Sequence, residues 1–308
     1  MPESLPHRIS AKTRYCAVYG HPVKHSASPS MQNAGINTLG LDWQYLAFDV
    51  APENLRAAID GARAMKFIGL NLTVPHKLLA MDIVDVLDES ARKWGAVNTI
   101  RFEAKDASGT WQPLRSFEEV PNEIRAHGFN TDADAIARAI QEELKLPLRG
   151  ARVVLLGAGG AGRAAALKLA EEDVGELHLV NRTQNKAGEL ADEIRQRCPN
   201  VPVSIGYPKH PVELLLNATS LGLKSGDALP LDERAFPLRN VDAVYDMIYR
   251  PAETPLLRAA REEGCRAANG LGMLLYQGAK ALEIWTGRTA PLAEMRRALE
   301  ENVHGKQV

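Results

Sequence analysis

An apolar run, Val153-Val154-Leu155-Leu156, passes straight into Gly157-Ala158-Gly159-Gly160-Ala161-Gly162 and then into an alanine-rich stretch, Ala164 to Ala170. Strand, spaced glycines and helix in that order leave the chain few ways to fold. The glycines bend the backbone tightly and let the helix N-terminus, with its free N–H groups and favourable dipole, approach a pyrophosphate. A second strand, Leu177 to Val180, then ends on Asn181-Arg182-Thr183. An NAD site places Asp or Glu there, about 20 residues past the turn, to hold the ribose 2′-hydroxyl. A carboxylate would repel a 2′-phosphate, whereas a guanidinium forks onto it. The segment is therefore expected to bind NADP(H).

At 308 residues the chain is long enough for two domains with cores of their own. Its composition, 45% hydrophobic and 24% charged, is that of a globular protein. A net charge of -1 without a concentrated Lys/Arg run gives no electrostatic footprint for nucleic acid or an anionic membrane. Cys16, Cys198 and Cys265 are odd in number and form no Cys-x-x-Cys pair, so they are read as reduced packing residues in a cytoplasmic protein. Met1 to Ser10 carries an acid and two prolines without an apolar core, and no apolar run reaches membrane-spanning length. Export and membrane insertion are not expected.

Short apolar strands alternate with amphipathic helices, which implies mainly parallel sheets covered on both faces. Tyr15 to Tyr19, Gln44 to Val50, Phe67 to Thr73 and Val97 to Phe102 read as strands of a first α/β unit, with helices beginning near Ser28, Pro52 and Asp88. Ser28-Pro29 reads as an N-cap followed by proline at the first helical position, with Gly40 as a stop. A second series runs from Arg152 to about Ala268, with strands near 153, 177, 203, 214 and 242. Helices over Thr131 to Glu143 and Leu271 to Trp285 are expected to link the two, the latter folding back onto the first unit. A cleft between two α/β domains is the expected site. Glu103 to His127 lacks clear periodicity and reads as a loop or hairpin excursion.

Four polar clusters fall at strand ends or turns, where α/β proteins hold ligands. The first, Gly20 to Pro29, offers Ser26 and Ser28 beside helix N–H groups. His21 and His25 in it are separated by Pro22, against a helical metal pair, and no metal site is expected. The second is Asn71 to Lys77, in which Asn71 and Thr73 lie on one side of a strand and Lys77 follows a proline. Asn98 in Gly95 to Thr99 and Asp132 in Gly128 to Asp132 complete the set. Each has an ordinary structural reading in isolation: a helix cap, a surface lysine, a turn amide, an acid in a first helical turn.

In their joint order these segments resemble the shikimate dehydrogenase family. The resemblance is carried by His25-Ser26-Ala27-Ser28-Pro29, Asn71 to Lys77, Gly95 to Thr99, Asn130-Thr131-Asp132, the glycine turn, Asn181-Arg182-Thr183, Asn217 to Leu223, Asp246 to Tyr249 and Gln277-Gly278. It implies a substrate-binding and catalytic α/β domain over 1–128 plus 270–308 and a Rossmann NADP-binding domain over 129–269. It implies reversible, NADP-dependent reduction of 3-dehydroshikimate to shikimate, on the route to chorismate and aromatic amino acids. Lys77 and Asp132 would form the catalytic pair, with Ser26, Ser28, Asn71, Thr73, Asn98, Tyr249 and Gln277 around the substrate. Gly157, Ala158, Gly159, Gly160, Ala161, Gly162, Asn181, Arg182, Thr183, Asn217, Thr219, Met247, Gly270 and Met273 would line the cofactor. The expected partner is a small-molecule substrate, with neither nucleic acid nor membrane, and the expected state is a monomer or homodimer.

Three departures stand out: Gln32 where the family usually has histidine, Ala135 where it has glycine, and the long 103–127 excursion where it has a short hairpin. Rival readings are a quinate/shikimate dehydrogenase of broader substrate or cofactor use and a non-catalytic NADP-responsive regulator on the same scaffold. Arg182 weighs against an NAD preference, and retention of both Lys77 and Asp132 weighs against the regulator. A methylenetetrahydrofolate dehydrogenase would want a pterin-stacking pocket that the Ser26/Ser28 loop and Asp132 do not foretell.

Overall fold

A computed structural model of the chain describes residues 9–224 and 226–305. The stretch read as free of an export signal therefore falls mostly, at residues 1–8, outside the described residues. The chain divides into two compact units, Met1–Thr131 with Gln277–Val308, and Asp132–Tyr276. In chain order the first contains β1 (Arg14–Gly20), α1 (Ser28–Thr38), β2 (Trp43–Asp49), α2 (Leu55–Ala64), β3 (Gly69–Leu72), α3 (His76–Leu79), β4 (Val86–Leu87), α4 (Glu89–Trp94), β5 (Thr99–Lys105), β6 (Trp111–Pro113) and β7 (Ile124–Phe129). The second contains α5 (Asp132–Leu144), β8 (Arg152–Leu156), α6 (Gly160–Glu171), β9 (Glu176–Val180), α7 (Gln184–Arg197), β10 (Val203–Ile205), β11 (Val212–Asn217), β12 (Val241–Asp246), α8 (Pro255–Glu262) and β13 (Arg266–Asn269). The chain closes with α9 (Leu271–Thr286) and α10 (Leu292–His304). Among the described residues no helix is long and apolar enough to cross a membrane.

The first sheet has the order β2-β1-β3-β5-β7-β4, with β6 paired to β5. Strand β1 is parallel to β2 and β3, and β4 to β7, while β5 opposes β3, β6 and β7. One strand in seven thus runs against the rest, a reversal that alternating strands and helices could not reveal. The end of α9 packs on this sheet. Trp285 Nε1 donates to Ile100 O at 2.9 Å, and a Cβ on Gly69 would sit 2.1 Å from that nitrogen, so only glycine fits under the indole. Gln32, the departure from the family histidine, is fully buried and donates to Gly278 O at 2.8 Å. Ser28 is not the N-cap. Ala27 holds that position without a side-chain cap, and Ser28 opens α1, its N–H reaching Ser26 Oγ at 3.3 Å.

The second sheet is parallel throughout, in the order β10-β9-β8-β11-β12-β13. This is the doubly wound arrangement in which ligands bind at the carboxyl ends of the strands, where the order reverses between β8 and β11. Its last strand, β13, has the short and half-polar sequence Arg-Ala-Ala-Asn, which is why periodicity did not reveal it.

Of the two expectations for 103–127 the hairpin holds: β5 pairs antiparallel with β6 and with β7. Within it Glu103, only 2% exposed, is gripped by Arg101 (Nε at 3.0 Å), Arg125 (Nε at 2.8 Å) and His127 (Nδ1 at 3.1 Å). Arg125 also stacks on Trp111 at 4.4 Å and Arg101 on Phe129 at 5.1 Å. Burial alone would raise the Glu103 carboxyl, but hydrogen bonds from His127, Arg101 and Arg125 outweigh it and hold it at about 2, from an ordinary 4.5. A depressed carboxyl stabilises the fold above its unfolded value. That contribution is therefore full above about pH 4.5 and drains away as pH falls toward 2. Glu103→Gln should lower stability at neutral pH by about 3 kcal/mol, since it leaves two guanidinium groups facing a neutral amide. Calorimetric melting of both forms from pH 7 to pH 3 should show the gap closing at the acid end.

Candidate functional site

At the carboxyl end of β8, Gly157 takes a φ of +100°, and its N–H donates to Val180 O at 2.8 Å. A Cβ on Gly162 would fall 2.0 Å from Gly157 O, so the first turn of α6 rests directly on the preceding loop. Gly159 and Gly160 are different: both are exposed, and a Cβ there would meet nothing within 4 Å. Packing explains Gly157 and Gly162, whereas the bare backbone at 159 and 160 is room for a ligand. The N-terminus of α6 has no side-chain cap, which leaves N–H groups of its first turn for an anion. A dinucleotide pyrophosphate fits this surface.

Asn181 Oδ1 accepts from Ala158 N at 3.0 Å, and its Nδ2 donates to Thr183 O at 2.7 Å. It braces the turn from the next strand. Arg182 and Thr183 are exposed, and Arg182 makes no ion pair among the described residues. Across the switch point, the loop after β11 leans on the glycine turn. A Cβ on Gly157 would lie 3.0 Å from Thr219 Cγ2. Asn217 is fully buried; its Oδ1 accepts from Thr219 N (3.0 Å) and Oγ1 (2.8 Å), while its Nδ2 donates to Asp246 Oδ1 at 2.9 Å. Asp246 also accepts from Ile248 N at 3.1 Å and Thr254 Oγ1 at 2.7 Å. Burial pushes its carboxyl up despite these donors. Gly270 lies where a Cβ would be 2.1 Å from Met247 O, and Met273 N donates to Tyr245 OH at 3.3 Å. All fourteen residues expected at the cofactor thus lie at or past the carboxyl ends of β8, β9, β11, β12 and β13 in the second unit. Asp246 and Thr254, which hold Asn217 from behind, were not singled out by residue type because their role is two contacts removed.

In the first unit the polar residues gather where β3 ends and β5 begins. Asn71 Oδ1 accepts from Tyr45 OH at 2.7 Å, and its Nδ2 donates to Thr99 Oγ1 at 3.0 Å. Burial raises the Tyr45 hydroxyl well above its ordinary value, so it stays a donor. Asn98 is 1% exposed; its Nδ2 donates to Thr131 Oγ1 at 2.9 Å, and its Oδ1 accepts from Thr131 N at 2.9 Å. Thr131 Oγ1 donates in turn to Gln277 O at 3.1 Å. Thr73 is half-buried and its N–H donates to Tyr19 O at 2.9 Å. Ser28 is buried and Ser26 half-buried. Lys77, half-buried on α3, accepts from Val97 N at 2.9 Å through its carbonyl. Asp132 is buried at the start of α5, and Tyr249 is half-buried just past β12. Sequence reasoning did not assign Tyr45, Thr99 or Thr131, because each acts by orienting an assigned amide.

Comparison with known proteins gives a consistent picture. The family model described as shikimate dehydrogenase substrate binding domain matches residues 18–100, that of shikimate / quinate 5-dehydrogenase residues 137–204, and that of the shikimate 5'-dehydrogenase C-terminal domain residues 270–300. A shikimate dehydrogenase (NADP(+)) of Methanopyrus kandleri is 39% identical over 302 residues, covering 96% of this chain and 98% of its own. A crystal structure of a shikimate dehydrogenase in complex with NADP+ is similar with a TM-score of 0.81 and 35% identity, covering 98% of this chain and 99% of the other. That of the Thermus thermophilus enzyme with NADP(H) and shikimate gives 0.77 and 36%, covering 94% and 99%.

The 2.0 Å approach at Gly162 makes one substitution decisive. Gly162→Ala must push the helix off the turn, and dinucleotide affinity should fall about tenfold or more, equivalent to about 1.4 kcal/mol. Isothermal titration calorimetry checks this, with circular dichroism confirming an unchanged helix content.

Proposed function

The chain belongs to the shikimate dehydrogenase family, and we propose that Lys77 and Asp132 are the acid–base pair with which it reversibly reduces 3-dehydroshikimate to shikimate. The first unit is the substrate side and the second binds NADP. When bound, NADPH supplies the hydride. The Lys77–Asp132 pair meets the charge that develops on the ketone oxygen and gives that oxygen a proton, which the pair regains from solvent. In the reverse direction the pair accepts the hydroxyl proton.

One observation supports the pairing above others. Lys77 O is bonded to Val97 N, and the side chain of the next residue, Asn98, grips Thr131, the residue before Asp132. Two backbone points that are distant in sequence are thereby fixed to consecutive residues of one turn. Ser26, Ser28, Asn71, Thr73, Asn98, Tyr249 and Gln277 supply neutral donors and acceptors, matched to a polyhydroxylated acid. A site lined this way disfavours analogues that lack a hydroxyl, because its own polar groups would be left unpaired. Arg182 and Thr183 take the 2′-phosphate. Cys16, Cys198 and Cys265 form no disulfide and two of them are buried, which supports a reducing cytoplasmic setting, in which the chain works as a monomer or homodimer.

The assay follows absorbance at the NADPH band with shikimate and with quinate, each against NADP+ and NAD+. Turnover confined to shikimate with NADP+ is the expected result; equal rates with NAD+ would overturn the assignment of Arg182. Arg182→Asp should narrow or invert the gap between the two cofactors in the same assay. Because Lys77 acts on the transition state, Lys77→Ala should lower kcat about 100- to 10,000-fold with only a modest change in KM. Near-normal turnover in that variant would remove Lys77 from the chemistry.

A further inference from the structure

Away from the cofactor, three side chains of the second unit converge where the sequence foretold no metal. Glu176 and His178 occupy alternate positions of β9 and so project from the same face of the sheet. His210 reaches them from residues 206–211, the six-residue link between β10 and β11. That link crosses β9 and β8 without the helix that usually covers such a crossover, because Val203–Ile205 and Val212–Asn217 lie on either side of those two strands. The site lies toward the amino ends of the strands: Glu176 opens β9, and His210 precedes β11 by two residues. The glycine turn and its helix occupy the opposite, carboxyl ends.

One carboxylate oxygen and two imidazole nitrogens lie within 4.8 Å of one another. His210 Nε2 is 3.1 Å and His178 Nε2 3.5 Å from Glu176 Oε1. The donor–donor edge of a tetrahedral zinc site with bonds of 2.0–2.1 Å is about 3.3–3.4 Å, between those two values. His178 is only 8% exposed, and neither its Nε2 nor Glu176 Oε1 has a hydrogen-bond partner. Two shielded polar atoms this close, neither of them hydrogen-bonded, are costly unless something satisfies both. His210 Nδ1 lies 3.2 Å from Pro211 O, a carbonyl that can only accept. Nδ1 is thus the ring nitrogen that carries a hydrogen toward that carbonyl, which leaves Nε2 as the nitrogen a metal ion would take. Arg152 feels the charge on Glu176 but gives its hydrogen bonds to Glu213, through Nε at 2.9 Å and its backbone N–H at 2.7 Å, so it does not occupy the space between the three side chains' donor atoms.

We propose that Glu176, His178 and His210 form a binding site for a divalent first-row transition ion of the zinc class, which pins the helix-free crossover to the sheet. The donor set is two neutral imidazoles and one carboxylate. The side chain of His210 is 44% exposed, so a water completes the tetrahedron from the solvent side. Ligands from one strand and a distant loop meet only in the folded chain, so the ion stabilises the native state.

The test uses the tag-free full chain, stripped with EDTA and titrated with Co2+ and then Zn2+. The expected result is saturable uptake of one equivalent of Co2+ with the intense visible bands of tetrahedral coordination, their loss on adding Zn2+, and a melting temperature that rises with Zn2+. Glu176→Gln and His210→Ala, both at partly exposed positions that tolerate substitution, should each weaken Co2+ binding by more than the ~10- to 100-fold that loss of a supporting outer residue costs. Absence of saturable uptake up to millimolar Co2+ would overturn the proposal. So would stoichiometric uptake that survives unchanged in both folded variants, since the ion would then be held elsewhere.

Discussion

The side chain of Asn98 carries more of the arrangement than any other single group. Its amide bonds both the N–H and the hydroxyl of Thr131, while its backbone carbonyl receives Asn71 Nδ2 at 3.3 Å. Since the group is almost wholly out of water, each unmade bond would cost about 1–3 kcal/mol, and the geometry has little freedom to drift. Three further polar residues take their position from it directly or at one remove: Thr99 through the Asn98 Oδ1, Asn71 through Thr99, Gln277 through Thr131. A carboxamide suits the role because it gives and accepts at once without carrying a charge that burial would penalise.

The second unit solves the same problem with backbone rather than side chains. Where Gly162 rests on Gly157, close approach of main chain to main chain sets the angle at which α6 leaves the sheet. Behind it, Asp246 keeps Asn217 and hence Thr219 in place. The carboxyl is raised by burial and still fully engaged, which is the behaviour of a group whose task is to hold others.

Those features that were legible in the sequence are local ones. Strand, glycine turn, helix and the Asn181-Arg182-Thr183 ending follow one another in the chain, so short-range pattern was enough to give both the fold of this segment and its cofactor. Candidate site residues could also be named, because their motifs are contiguous. What escaped depends on pairs far apart in sequence. Glu103 meets Arg125 and His127 only because β5 and β7 lie side by side, so the expected hairpin could be named but not the buried carboxylate at its centre. Ala27 displaced Ser28 as the cap because Ser26 already met the Ser28 N–H. Glu176, His178 and His210 escaped for the same reason, since their spacing matches no ligand signature.

The lone reversed strand has an evolutionary consequence. Because β5 starts among Asn71, Thr99 and Phe129 and travels the other way, its far end emerges about 20 Å from the polar layer, at the opposite rim of the sheet. Residues gained or lost between β5 and β7 therefore fall at that rim, away from the polar layer. A lineage can lengthen or trim this hairpin, and tune what the rim touches, without disturbing the Asn98 network at the other end.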